Sequence, residues 1–139
     1  MTTTSSETSE SPIRVIIAED NTLLREGLEA LLNRNGFTTV AAVDSAESLI
    51  EESTRTEPEL VVTDVRMPPT FGSEGLAAAV ELREQRPGLP IVVLSQYVEL
   101  SYLSELLDSA GGSAVGYLLK DRVSDVTDFA DCLLYTSDA

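Results

Sequence analysis

Residues 60–69 read LVVTDVRMPP, an apolar run that ends in Asp64 and opens into a proline-rich loop. Three other apolar runs also end in polar residues: 13–18 in the acid pair Glu19-Asp20, 91–94 in Ser95, and 117–119 in Lys120. Buried strands that each end in a polar residue build a site along the carboxyl edge of an open parallel sheet. Three carboxylates, a hydroxyl and an ammonium group at one edge suit a divalent cation and a phosphoryl group.

The composition indicates a single soluble globular domain. The chain has 139 residues, of which 42% are hydrophobic and 24% charged, which is enough for one core and too little for two domains of ordinary size. No apolar run approaches the length of a membrane span. Residues 1–11 are rich in Thr, Ser and Glu and lack the apolar core of a secretory signal. We therefore expect a disordered tail over residues 1–11 and a cytoplasmic protein that does not contact the membrane.

The charged and reactive residues exclude several classes of function. The net charge is -15, from 9 Lys+Arg against 24 Asp+Glu, which argues against direct binding to nucleic-acid phosphates. Cys132 is the one cysteine, so no internal disulfide can form. The absence of histidine argues against a zinc site and excludes both a Ser-His-Asp triad and a phosphohistidine within this chain.

The hydrophobic pattern alternates between short β-like runs and helical periods. We predict strands at 13–18, 37–43, 60–63, 91–94 and 115–119, with helices at 22–35, at 72–85, at 100–110 and from 124 onward, and another that Asp44 or Ser45 caps and that runs to about 56. Gly36, just past the first helix, is predicted to take the left-handed conformation of a helix C-terminal cap. This alternation predicts a doubly wound α/β fold of the flavodoxin-like type, with strand order 2-1-3-4-5 and helices on both faces. In that order the switch point lies between strands one and three. Glu19-Asp20 and Asp64 follow those two strands, so topology and chemistry predict the same site.

These motifs resemble the CheY-like receiver domain of bacterial two-component response regulators, over residues 12–131. The resemblance rests on the acid pair after strand one, on Arg66-Met67-Pro68 after Asp64, on Ser95, and on residues 116–121, which read GYLLKD. Residues 116–121 and the REGL segment at 25–28 are most similar to the LuxR/NarL-type subfamily, whose receivers precede a helix-turn-helix DNA-binding domain.

The resemblance implies a role for each residue of the site. Asp64 would accept the phosphoryl group from a sensor histidine kinase. Mg²⁺ would be held by the acidic side chains and one backbone carbonyl, namely Glu19, Asp20, Asp64 and the carbonyl of Arg66. Ser95 would hydrogen-bond the phosphoryl oxygens, and Lys120 would pair with the phosphoryl group or with Asp64. Ser95 and Tyr117 would form the conformational switch.

The resemblance also implies a signalling domain whose only catalysis is the phosphorylation and dephosphorylation of its own Asp64. A homodimer would form on phosphorylation, and DNA would be contacted only through a C-terminal domain that this chain lacks. Residues 132–139, CLLYTSDA, read as a non-native tail derived from a sequencing adaptor, which implies a truncated reading frame. The loop at 68–75 is longer than is usual in the family, and so is the segment at 110–116.

Other interpretations remain open from the sequence alone. Asp64 could be a simple strand end, Glu19-Asp20 could only cap the first helix, and Tyr117 could be a packed aromatic residue. A pseudo-receiver would have the same fold and act without phosphorylation. A phosphatase of the haloacid-dehalogenase type would need a second aspartate where Arg66 stands. A flavodoxin would need a phosphate-binding loop rich in Ser, Thr and Gly after the first strand, where this chain has acids.

Overall fold

The computed structural model describes residues 12–68, 72, 74–95 and 115–119. Within these ranges strands and helices alternate as β1 (Ile13–Ala18), α1 (Thr22–Arg34), β2 (Phe37–Val43), α2 (Ala46–Thr56), β3 (Leu60–Asp64), α3 (Glu74–Gln85), β4 (Ile91–Ser95) and β5 (Val115–Leu119). The predicted helices at 100–110 and from 124 onward lie outside the described residues, as do the predicted tails at 1–11 and 132–139. The strand boundaries agree with the predicted ones to within one residue.

The five strands form one parallel sheet in the order β2-β1-β3-β4-β5, which confirms the flavodoxin-like prediction. The register places Ala18 beside Thr63, and Asp64 beside Leu94. The carboxyl ends of β1, β3 and β4 therefore meet at one edge of the sheet, which is where the polar residues follow the apolar runs. The β1–β2 pairing shifts its register between Val15 and Ile16.

The central strands β1, β3 and β4 are covered on both faces, because successive side chains of a strand point to opposite sides and helices pack against each side. One face packs against α2 and α3, and its core includes Ile16, Val61, Val93, Leu49 and Leu76. The other face packs against α1, and its core includes Ile17, Val62, Leu94, Leu28 and Leu32. The strands β3 and β4 are buried along their whole length, as expected for the interior of a parallel sheet.

Side chains at the starts of α1 and α2 satisfy backbone groups that a helix leaves without partners. The Asn21 side-chain oxygen accepts from the Leu24 N–H at 2.9 Å, and the Ser45 hydroxyl accepts from the Ser48 N–H at 3.2 Å. Ser45 is therefore the cap of α2, of the two candidates that the sequence offered. Gly36 follows α1 with φ 90, the left-handed conformation predicted for that position.

The helix α3 begins at Glu74, two residues later than predicted, so Gly72 lies outside it. Glycine loses more backbone freedom in a helix than other residues do, which disfavours Gly72 there, whereas Gly75 lies in the first turn because no Cβ fits beside the Asp64 carbonyl. Arg83, in the last turn of α3, is fully buried, and its Nη1 donates to the Leu89 carbonyl at 2.7 Å. Burial lowers the pKa of the Arg83 guanidinium.

None of the helices in the described part of the chain is both long enough and apolar enough to cross a bilayer.

Candidate metal centre and phosphoryl site

Three acidic side chains converge at the carboxyl edge of the sheet. Glu19, Asp20 and Asp64 each offer a carboxylate oxygen, and these oxygens all lie within 4.8 Å of one another. Glu19 is fully buried, Asp64 is 4% exposed, and Asp20 is partly exposed. The three residues that the sequence predicted as a metal site are thus brought together, with one side open to solvent through Asp20.

The loop after β1 is held by hydrogen bonds on both sides of Glu19. The Glu19 N–H donates to the Val43 carbonyl at 3.0 Å, which continues the β1–β2 pairing. One Glu19 carboxylate oxygen accepts from the Asn21 N–H at 2.9 Å. From α1, the Nη1 of Arg25 donates to the Glu19 carbonyl at 2.7 Å. The acid pair therefore sits on a fixed backbone rather than on a free loop.

The loop after β3 is fixed in a similar way around Asp64. The Val65 N–H donates to the Leu94 carbonyl at 3.1 Å, so the pairing with β4 continues past Asp64. The Val65 carbonyl accepts from the Gly75 N–H at 2.9 Å, which ties the start of α3 to the end of β3. The Thr63 hydroxyl donates to the Asp64 carbonyl at 3.1 Å, and this contact is buried.

The donor set fits a small, hard divalent cation. Mg²⁺ prefers carboxylate, carbonyl and water oxygens, and opposite ligands of an octahedral Mg²⁺ stand about 4 Å apart. Neighbouring ligands of the same ion stand about 3 Å apart, so carboxylate oxygens that all lie within 4.8 Å of one another need only small side-chain movements to reach one ion. Three carboxylates held so near to one another also repel, and a bound cation relieves this repulsion. The partly exposed Asp20 leaves room for water on the solvent side.

The remaining predicted site residues differ in how much of them the structure describes. Ser95 ends β4 next to this edge and is 6% exposed. Arg66 lies two residues after Asp64 and is exposed, and the role of its carbonyl as a ligand stays a prediction. Tyr117 belongs to β5, and its backbone lies beside that of Val93 in β4. The Tyr117 side chain and the whole of Lys120 lie outside the described residues, so their roles also stay predictions.

Three residues beside the site were not identified by sequence reasoning. Arg25 was noted only as part of the REGL segment, yet its guanidinium donates a hydrogen bond to the carbonyl of Glu19. Thr63 appeared only as part of a strand, although a hydroxyl within an otherwise apolar run was a usable signal. The importance of Gly75 is visible only in the structure. Its contact with Asp64 depends on the conformation of the intervening loop, which hydrophobic periodicity does not predict.

Comparison with known proteins identifies the family to which this arrangement is similar. Residues 15–128 match the family model described as the response regulator receiver domain. The chain is 31% identical to the transcriptional regulatory protein LnrK of Bacillus subtilis, over 81% of this chain and 49% of that protein. It is 33% identical to the transcriptional regulatory protein PdtaR of Mycobacterium tuberculosis, over 83% of this chain and 53% of that protein. The chain thus spans about half the length of these curated relatives.

Solved structures of response regulators share the fold of this chain. A DNA-binding response regulator of the LuxR family from Staphylococcus aureus superposes with a TM-score of 0.76 at 21% identity, covering 90% of this chain and 98% of that one. The signal receiver domain of the putative response regulator NarL from Mycobacterium tuberculosis superposes with a TM-score of 0.72 at 26% identity, with the same coverage. Both neighbours confirm the receiver fold, and the second, at 26% identity, agrees with the resemblance to the LuxR/NarL type.

Proposed function

The chain belongs to the family of response regulator receiver domains, and on that premise we propose that Asp64 is the residue that accepts a phosphoryl group. The observation that carries the proposal is the convergence of Asp64 with Glu19 and Asp20, whose carboxylate oxygens lie within 4.8 Å of one another. Asp64 ends a buried strand at the switch point of the sheet, where ligands of open α/β sheets bind.

We propose that Glu19, Asp20 and Asp64, with the backbone carbonyl of Arg66, hold Mg²⁺ at this edge. Their oxygens are the hard ligands that Mg²⁺ prefers. When bound, the ion would offset the negative charge that develops during phosphoryl transfer. The fixed backbone on both sides of the acid pair supports a preorganised site, because Arg25 and Asn21 restrain the loop before any ion arrives.

In the proposed reaction, a carboxylate oxygen of Asp64 attacks the phosphorus of the donor. The bond between phosphorus and the donor's leaving group breaks, and the product is a mixed anhydride of the Asp64 carboxyl group with phosphate. Ser95, at the end of the neighbouring strand, would donate its hydroxyl to a phosphoryl oxygen. Lys120 would supply the balancing ammonium, and Tyr117 would respond to the movement of Ser95.

We propose that the donor in the cell is a sensor histidine kinase, since the chain itself has no histidine that could carry the phosphoryl group. The receiver would act in the cytoplasm and regulate transcription through a DNA-binding domain, with dimerisation on phosphorylation. The names of LnrK and PdtaR, which are transcriptional regulatory proteins of about twice the matched length, support this output.

The test is phosphorylation by a small donor, acetyl phosphate, in the presence of Mg²⁺, followed by intact-mass spectrometry. We expect one phosphoryl addition to the wild-type chain and none to Asp64→Asn. Asp44→Asn is the matched control, because Asp44 is an exposed aspartate in the loop before α2. Labelling of Asp64→Asn at the wild-type level would refute the assignment, and no labelling of the wild type would favour a pseudo-receiver that acts without phosphorylation.

A further inference from the structure

Thr63 carries a side-chain hydroxyl group at a buried strand position that is usually occupied by an apolar residue. It is 0% exposed, it lies between Ala18 and Val93 in the sheet, and its side chain shares a face with Val61. A valine has nearly the same shape and would avoid burying a polar group, which costs free energy unless that group is hydrogen-bonded. The Thr63 hydroxyl is bonded to the backbone carbonyl of Asp64, at 3.1 Å.

Gly75, in the first turn of α3, packs against the same carbonyl group. A Cβ at this position would overlap the Asp64 carbonyl oxygen and stand 2.9 Å from the carbonyl carbon and 3.0 Å from the Cγ of Met67. Met67 is fully buried, and backbone atoms of a central strand cannot move aside as a flexible side chain can. Only glycine therefore allows α3 to start so close to the end of β3, where the Gly75 N–H reaches the Val65 carbonyl.

Both contacts act on one peptide group, the one that follows the Cα of Asp64. Its carbonyl oxygen accepts a hydrogen bond from the Thr63 hydroxyl, and Gly75 packs against its carbonyl carbon and oxygen. The N–H of the same peptide, that of Val65, donates to the Leu94 carbonyl. The orientation of this peptide sets the ψ angle of Asp64. A change in ψ at fixed strand position tilts the Cα–Cβ bond, so the carboxylate would move relative to Glu19 and Asp20.

We propose that Thr63 and Gly75 are positioning residues that clamp the Asp64 peptide and so hold its carboxylate beside Glu19 and Asp20. The consequence of this clamp for reactivity rests on the proposed function, in which the same carboxylate binds Mg²⁺ and attacks phosphorus. The clamp therefore sets the affinity for Mg²⁺ and the rate at which Asp64 takes a phosphoryl group.

The first variants are Thr63→Val, which removes only the hydroxyl, and Thr63→Ser, which restores it. We expect Thr63→Val to weaken Mg²⁺ binding, measured by calorimetry, by about fivefold, the factor that corresponds to the loss of one ordinary hydrogen bond. The initial rate of labelling by acetyl phosphate should fall by a similar factor. Thr63→Ser should return both quantities to within about twofold of wild type.

The second variant is Gly75→Ala, which forces the Asp64 peptide and the start of α3 apart. We expect Mg²⁺ affinity and labelling rate to fall on the order of tenfold or more, because misplacement of a reacting group is costly. Two matched controls make the same chemical changes elsewhere. Thr56→Val removes a hydroxyl bonded to the Glu52 carbonyl at 2.7 Å, and Gly27→Ala adds a methyl group in α1 with nothing within 4 Å.

The position of Asp64 itself is read from the ¹³C chemical shift of its carboxyl group in the metal-free protein, at one pH. Thr63→Val and Gly75→Ala should move this resonance, and Thr63→Ser, Thr56→Val and Gly27→Ala should leave it near its wild-type position. Unchanged shifts and unchanged Mg²⁺ affinity in both Thr63→Val and Gly75→Ala would overturn the inference, as would equal effects in the two controls. A wild-type chain that neither binds Mg²⁺ nor takes a phosphoryl group would refute the proposed function alone, because the carboxyl shift still decides whether the clamp exists.

Discussion

At the scale of single residues, the two buried acids of the site are costly features that the rest of the fold has to support. Glu19 is fully buried and Asp64 is 4% exposed, and a buried carboxylate is unfavourable unless hydrogen bonds or a cation compensate for lost water. The Asn21 N–H donates one such hydrogen bond to Glu19. The nearby Asp20 adds a like charge, so the metal-free protein contains an electrostatic repulsion that binding of Mg²⁺ would remove.

This repulsion leads to a prediction about Asp20→Asn. In the absence of Mg²⁺ we expect the variant to be more stable than wild type by about 1 kcal/mol, because one of three crowded charges is gone. Addition of Mg²⁺ at about a hundred times its Kd should stabilise wild type by about 2.7 kcal/mol and the variant by much less. Urea unfolding of both proteins, with and without Mg²⁺, measures these differences.

The control for this prediction is Asp44→Asn, which removes the same charge from an exposed loop position. Its response to Mg²⁺ should equal that of wild type. A variant Asp20→Asn that is stabilised by Mg²⁺ as strongly as wild type would mean that Asp20 is not a ligand.

At the scale of elements, helix α2 ends in a conformation that its residue does not favour. Glu57 has φ 49 and ψ 66, in the left-handed region, and its N–H closes the helix on the Ser53 carbonyl at 2.9 Å. The Arg14 guanidinium binds the carbonyls of Thr56 and Glu57, so the turn is held against β1. A side chain with a Cβ pays a steric cost in this conformation that glycine avoids.

We therefore expect Glu57→Gly to raise the free energy of unfolding by about 0.5 to 1 kcal/mol. Glu51→Gly is the matched variant, because Glu51 is an exposed residue in the interior of the same helix. It should lower the free energy of unfolding by about 1 kcal/mol. Denaturation midpoints measure both, and changes of the same sign would show that the left-handed conformation of Glu57 is not a source of instability.

The end of helix α3 depends on a buried arginine. Arg83 is 0% exposed, and its donation to the Leu89 carbonyl joins the last turn of α3 to the loop before β4. Arg83→Met keeps much of the side-chain volume but leaves that carbonyl without this donor. We expect a loss of about 1 to 3 kcal/mol in the free energy of unfolding.

Arg86→Met is the comparison for Arg83, because Arg86 makes the same type of bond, to the Pro58 carbonyl at 2.9 Å, from an exposed side chain. Its loss should be within about 0.5 kcal/mol, since water can replace the guanidinium. Equal losses in the two variants would show that burial of Arg83 adds nothing to the strength of its contact.

At the scale of the whole molecule, the net charge of -15 distinguishes this receiver from a DNA-binding protein. With 24 acidic and 9 basic residues, the chain carries a field that repels phosphate backbones. We expect the 139-residue chain to leave DNA unretarded in gel-shift experiments at low salt, where electrostatic binding is strongest. Retardation by the phosphorylated or the unphosphorylated chain would contradict the expectation that DNA is contacted only through another domain.

The strands and the position of the site could be predicted, because the buried strands of a parallel sheet are continuous apolar runs in the sequence. Apolar runs closed by Glu19, Asp64 and Ser95 reveal both the strands and their carboxyl edge. Arg83 could not be predicted as buried, because an apolar period identifies inward positions only when apolar residues occupy them. The contact of Gly75 with Asp64 depends on distances between backbone atoms across a loop, and single-sequence patterns carry no such distances.

The strand order β2-β1-β3-β4-β5 has a consequence for how the chain assembles on the ribosome. Once residues through Asp64 have emerged, β1 has a neighbour on each side, and β3 forms an open edge of the nascent sheet. In this order each later strand can join the edge left by the one before it as it is translated. Nascent chains arrested just after Asp64 should therefore aggregate through β3, which is buried along its whole length in the complete fold. Chains arrested well beyond Leu119 should aggregate less, because β4 then covers β3 and β5 covers β4.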